Sequence, residues 1–221
     1  MAKHHPAIDL LTDYTAGALP TAQAVCVSAH LAYCDSCRRM TQQLQDIGSV
    51  LMTQLTPIPV SENVLNCVLA RLDDPAPLSF GRSSACAGEE GAKLPGLLAR
   101  IINGDFSDLL WKRITKSLRV SHLKTGDLAH EFALYRIAAG GRIPEHNHCG
   151  SEMTLVLEGG FSDASGVYHP GDFLYRQGFD AHAPVAIDGE DCICLAVLDA
   201  PLRFTHWQYR WMNPFLQLRV G

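Results

Sequence analysis

Apolar residues recur at helical spacing through the first third of the chain and at strand spacing through the last half. Ile8, Leu11 and Thr15 follow the helical period before Gly17 and Pro20 end the run. A second helix is predicted from Thr21 into the region of Cys34. A third begins near Arg38, where Met40, Leu44, Ile47, Leu51 and Leu55 fall at spacings of four, three, four and four and so line one face. Pro57 and Pro59 end it. Ser61 can cap a fourth helix, in which Val64, Leu65, Val68, Leu69 and Leu72 are one-sided. Most of these apolar positions are expected to pack on one another inside a four-helix unit, leaving some residue of the third or fourth helix for a partner.

The pattern then breaks. Pro75, Pro77, Gly81, Gly88 and Gly91, with Ser79, Ser83 and Ser84, have linker chemistry, which makes separation of two flanking domains geometrically easy. Beyond Leu97 the signal is short strands between turns: 131–138, 153–158, 172–176 and 192–198, with Gly140-Gly141, Gly159-Gly160, Pro170-Gly171 and Asp188-Gly189 between or beside them. Strands this short suggest a small β-barrel or double-sheet jelly roll. The division is therefore 1–74 helical, 75–95 linker and 96–221 barrel, an α+β multidomain chain.

Composition narrows the classes. The 221 residues are 47% hydrophobic, enough for a core, and the net charge of −5 argues against a broad basic face for nucleic acid. Direct DNA binding is further disfavoured because the N-terminal helices hold few cations, such as Arg38 and Arg39. No apolar run approaches the ~20 residues of a membrane helix, and the start lacks a signal-peptide core. The eight cysteines do not read as a secreted disulfide framework, since two form C-x-x-C beside a histidine. The expectation is a cytoplasmic protein.

Two clusters carry chemistry. In a strand, His146 and His148 point to one face, and Glu152 keeps the same parity. His182, from a later strand, is the best fourth ligand, with His169 as a competitor whose place beside Pro170-Gly171 reads better as a turn. Three imidazoles and a carboxylate suit a divalent ion without choosing among zinc, iron, manganese and nickel. In the helices, His30 and Cys34 lie one turn apart, and Cys34 and Cys37 have zinc-site spacing. A fourth ligand is needed, from His5 or Cys26. Four ligands along one helical stretch cannot easily surround an ion, whereas His5, on a separate segment, would staple the N-terminus to the helices. No βαβ pattern surrounds the C-x-x-C, so zinc is favoured over a redox dithiol. Cys192 and Cys194 share a strand face, either as small core residues or as thiols near a metal.

Gly140, His146, His148, Glu152 and Gly159 resemble the first cupin motif. The second departs from the pattern, with Arg176 at the usual proline and one extra residue between Gly178 and His182. His30-x3-Cys34-x2-Cys37 resembles the zinc-binding anti-sigma domain, whose further ligand near the N-terminus would be His5 or its neighbour His4. In this order the two segments, with the tract from Asp191 to Ala196 and Asp199 to Phe204, resemble ChrR-type anti-sigma factors along essentially the whole chain. The resemblance implies a protein that binds an extracytoplasmic-function-type sigma factor through the zinc domain and responds to a stress signal, oxidative in kind, through the cupin-like domain. It implies no enzyme. The other class is a metal-dependent cupin enzyme, dioxygenase- or isomerase-like, which would need anchors such as Arg136, Tyr135, Glu131 or Tyr175.

Overall fold

In a computed structural model the chain folds as helices laid on a β-barrel. The structure describes residues 2–220 except 62, 73–94, 103, 179, 209, 211–212 and 214–218. The expected linker, apart from Pro95, lies outside the described residues. The helices are α1 (Ile8–Thr15), α2 (Thr21–Tyr33), α3 (Asp35–Thr53), α4 (Asn63–Ala70) and α5 (Gly96–Ile102). The strands are β1 (Lys112–Arg113), β2 (Leu118–His122), β3 (Glu131–Ile137), β4 (His146–His148), β5 (Glu152–Glu158), β6 (Phe161–Asp163), β7 (Gly166–Tyr168), β8 (Phe173–Arg176), β9 (Val185–Ala186), β10 (Cys192–Leu198) and β11 (Leu202–Phe204).

A six-stranded sheet in the order β1-β2-β3-β10-β5-β8 forms the larger wall, and β7-β6-β9 and the β11-β4 pair form the other. Every named pairing is antiparallel. The middle of the long wall, β3, β10 and β5, is largely buried on both faces, and the strand period sorts its side chains. On β10, Ile193, Leu195 and Val197 join one core together with Leu11, Ala22, Cys26, Val27 and Ala29 of the helices. The alternate residues Cys192 and Cys194 face a second core inside the barrel with Leu118, Ile137, Val156 and Phe161. All seven residues of β10 are consequently buried. The same alternation puts Met153, Leu155 and Leu157 of β5 toward the helices, and Val156 inward.

α2 covers that outer face. Ala22, Cys26, Ala29 and His30 lie at helical spacing, and with Val27 they are the buried residues of the helix. The chain breaks at Cys34, whose extended backbone (φ −126°, ψ 104°) ends α2, and whose Sγ accepts a hydrogen bond from the Cys37 amide as the cap of α3. The third helix therefore starts at Asp35, several residues before the predicted start near Arg38, because a thiol does the capping usually assigned to Ser or Asp.

The expected packing of the apolar stripes within a helical unit is not what forms. Only Cys37 and Thr41 of α3 are buried, and no described residue of α4 is. Ile47, Leu51, Leu55, Val64, Leu65, Val68, Leu69 and Leu72 are all exposed, and Leu44 alone of the stripe packs against the core. The helical core is made against the barrel sheet by α2, so the distal half of α3 has no helix-sized surface left to cover it.

Candidate metal centres

The first cluster gathers at the junction of α2, α3 and the N-terminal segment. The donor atoms of His5, His30, Cys34 and Cys37 all lie within 4.8 Å of one another. His5 Nδ1 is 3.3 Å from Cys34 Sγ and 3.5 Å from Cys37 Sγ, and His30 Nε2 is 3.4 Å from Cys37 Sγ. A tetrahedron with bonds of about 2.0–2.3 Å has edges of about 3.3–3.8 Å, so these separations fit a zinc ion between the four donors. His30 Nδ1 donates to the carbonyl of Gly171 at 2.9 Å, which fixes the tautomer and leaves Nε2 free for the cluster. Burial, more than the other influences, pushes the His30 imidazole down to about 4, so it is neutral near pH 7. Desolvation opposes ionisation of Cys34, but hydrogen bonds with Ser36 and Cys37 outweigh it and lower the thiol, while burial and the neighbouring Cys34 raise Cys37 to about 11. Cys34 is thus the first thiolate of the pair.

The other N-terminal candidates lie elsewhere. Cys26 is wholly buried in the core, where desolvation raises its thiol far out of reach of ionisation. The His4 ring packs edge-on against Tyr168, 4.9 Å between centroids.

The second cluster lies inside the barrel. His146 and His148 project from the two ends of β4, and a backbone bridge brings His182 opposite His146, with hydrogen bonds of 3.1 and 2.9 Å running both ways. The donor atoms of these three histidines also lie within 4.8 Å of one another. Glu152 follows a tight turn that Asp199 holds by accepting from both the amide and the hydroxyl of Ser151, each at 2.6 Å. Its Oε2 comes to 2.9 Å from His148 Nε2. That contact lacks hydrogen-bond direction: the His148 ring is buried, and neither nitrogen has a hydrogen-bonding partner among the described residues. An unsatisfied buried imidazole is costly, and a cation held between these rings and the carboxylate would remove the deficit. His146 Nδ1 donates to the Pro144 carbonyl at 2.9 Å, which presents its other nitrogen to the cluster. Burial and then His182 hold His146 down at about 4. Burial opposes the Glu152 charge, yet the His148 contact and the neighbouring imidazoles win and hold the carboxyl at about 2. Gly159, after the motif, has φ +63°, and a Cβ there would meet the Asp191 carbonyl.

Beside the cluster is a cavity of about 50 Å³, lined among others by Tyr135, Ile143, Phe161, Arg176 and Cys194. Of the anchors named from sequence, Tyr135 reaches it, with its hydroxyl donating to Glu131 at 3.1 Å. Arg136 instead pairs with Asp191 at 2.7 Å, and Tyr175 is exposed. Arg176 was missed as a cavity residue. Its register opposite Glu152 across the β5–β8 pair is the signal, and Asp163, 2.5 Å away, compensates its charge. Cys192 and Cys194 do share one face, with sulfurs 3.5 Å apart. The contact with Cys192 and then burial push the Cys194 thiol well up, so it sits as a neutral core residue.

A helical His/Cys cluster seated on a histidine-lined cupin barrel is the class of protein these features define. The ChrR cupin-like domain family matches residues 100–200, and a zinc-finger family matches residues 5–38. The chain is 36% identical to the anti-sigma-E factor ChrR of Cereibacter sphaeroides, over 98% of its own length and 99% of the relative's. It also resembles the crystal structure of Rhodobacter sphaeroides SigE in complex with the anti-sigma ChrR, with a TM-score of 0.78 and 35% identity, covering 90% of this chain and 100% of that one. The chain belongs to the ChrR family of anti-sigma factors. Among its described residues, no helix is long and apolar enough to cross a membrane.

Proposed function

We propose that this chain is an anti-sigma factor of the cytoplasm. It binds an extracytoplasmic-function-type sigma factor, keeps it from core RNA polymerase, and releases it on a stress signal, oxidative in kind, sensed through the cupin-like domain. The observation that carries this reading is identity to the anti-sigma-E factor ChrR along nearly the whole of both chains. The exposed apolar faces of α3, which starts at the His/Cys cluster, and of α4 supply a surface for the sigma factor. In this reading residues 1–74 inhibit, 75–95 link and 96–221 sense. Zinc is held by His5, His30, Cys34 and Cys37, where it fixes the angle between α2 and α3. Zinc or another divalent ion is held by His146, His148 and His182 with Glu152. A cupin enzyme is the weaker reading, because Arg176, which lines the barrel cavity, is already paired with Asp163.

The test is co-expression with an extracytoplasmic-function-type sigma factor from the same genome, followed by pull-down and metal analysis of the wild type and of Cys34→Ala/Cys37→Ala. The expected result is a one-to-one complex containing zinc, lost in the double variant. Absence of a complex, with metal found in the barrel alone, would transfer the case to a cupin enzyme.

A further inference from the structure

The helices do not build the His/Cys cluster alone. Two of its four donors are set by one turn of the barrel, residues 169–173, between β7 and β8. Asp172, only 1% exposed, aims its carboxylate at the N-terminal segment. Its Oδ1 accepts from the amides of Lys3 at 2.5 Å and His4 at 3.0 Å, and its Oδ2 from the His169 amide at 2.9 Å. The amide of Phe173 then donates to the His4 carbonyl at 3.0 Å. These bonds tie residues 3 and 4 to the barrel and deliver the next residue, His5, to the cluster. The preceding residue of the turn, Gly171, offers the carbonyl that orients His30. A side chain at Gly171 would collide with Tyr33 Cβ at 2.9 Å, so the approach of α2 to this turn depends on glycine, whose φ of +92° other residues rarely adopt.

A second barrel carboxylate grips α2 at its other end. Asp127 Oδ2 accepts from the Ala22 amide at 3.2 Å, and Asp127 also holds His130, whose Nε2 lies 3.1 Å from the Gln23 side chain. None of these residues belongs to the cluster, yet they fix the helix that carries His30.

We propose that Gly171 and Asp172 of the barrel are positioning residues for the helical metal site, so that metal binding and docking of the helices on the barrel reinforce each other. The proposal rests on the cluster being a metal site. Its physical basis is linkage: if docking raises the affinity of the cluster for metal by some factor, metal raises the affinity of the helices for the barrel by the same factor. Loss of groups that orient a metal-bound histidine commonly costs about 10- to 100-fold in metal affinity. The linkage gives an event in the barrel a route to the α2–α3 angle: a barrel change that loosens the turn at 169–173 loosens both His5 and His30.

Cobalt provides the probe, because thiolate-to-cobalt absorption reports the sulfur-bearing cluster and is silent for the barrel's histidines and Glu152. Full-length wild type, Asp172→Ala and Asp127→Ala are loaded with cobalt and titrated with a competing chelator while this absorption is followed. The expected loss of affinity is about 10- to 100-fold for Asp172→Ala, which frees the segment carrying His5, with a smaller loss for Asp127→Ala, which holds only the far end of α2. Wild-type affinity in both variants would overturn the proposal, and a loss confined to Asp172→Ala would overturn its docking half. A second measurement needs no variant. Hydrogen exchange of the wild type is compared before and after the metal is stripped, and the amides of Lys3, His4, Phe173 and Ala22 are expected to lose protection. Unchanged exchange at Ala22 and Phe173 after the absorption has vanished would overturn the coupling. A wild type that never shows thiolate-to-cobalt absorption would instead defeat the metal-site reading itself.

Discussion

Cys26 and Cys34 stand eight residues apart on the sequence and have opposite chemistry, and burial decides which is which. Cys26 packs fully inside the helix–sheet core, where a thiolate is strongly disfavoured, whereas Cys34 sits at a helix junction with hydrogen-bond donors around it. Replacing Cys26 by Ala removes one small buried group and is expected to cost about 1 kcal/mol of stability with zinc content unchanged. Metal analysis and denaturant unfolding of C26A check this, and loss of zinc from that variant would return Cys26 to the list of ligands. The spacing of His30, Cys34 and Cys37 already pointed to one ion, and so did the parity of His146, His148 and Glu152. His182 was harder to place, because the second cupin motif departs from its pattern; a single backbone bridge to His146 puts it there. Gly171 and Asp172 carried no signal as site residues, since a Pro-Gly-Asp turn reads as a turn whatever lies against it, and Asp127 stands in a loop between β2 and β3 with no motif around it.

At the level of elements, β10 was legible over its whole length because its apolar run is uninterrupted. That same run held information the helical pattern concealed. A strand apolar at every position is covered on both faces, so something had to lie on the outside of the barrel wall, and α2 is that cover. Once α2 is committed to the sheet, the stripes of α3 and α4 cannot close a four-helix core and stay exposed. Surface changes there should leave the fold within about 0.5 kcal/mol of wild type, since these side chains make few internal contacts. If the exposed faces bind the sigma factor, Leu51→Glu/Val68→Glu would weaken the complex by at least about tenfold, because two charges would have to be buried in an apolar interface. Binding measured by calorimetry alongside thermal unfolding separates the two effects. Wild-type affinity in the double variant would place the sigma-binding surface elsewhere.

Across the molecule, the two clusters hold buried neutral imidazoles, and this gives the metal-free chain a defined response to acid. His30 and His146 titrate at about 4 in the folded state, against about 6.5 in an unfolded chain. Between those values the unfolded state binds more protons, so stability rises with pH across the window and is lost as pH falls through it. Glu152, held at about 2 rather than its usual 4.5, acts in the same direction lower down: its contribution is present above about 4.5 and is lost as pH falls toward 2. The metal-free chain should therefore lose about 2–4 kcal/mol between pH 7 and pH 4.5. Metal competes with protons for the same nitrogens, so zinc-loaded protein should unfold at a lower pH than the stripped form. Denaturant titrations at pH 7, 5.5 and 4.5, with and without zinc, measure both. A metal-free midpoint that does not move between pH 7 and 4.5 would mean that the imidazoles take up protons without opening the core, and the clusters would then be more open to water than their burial in the folded chain indicates.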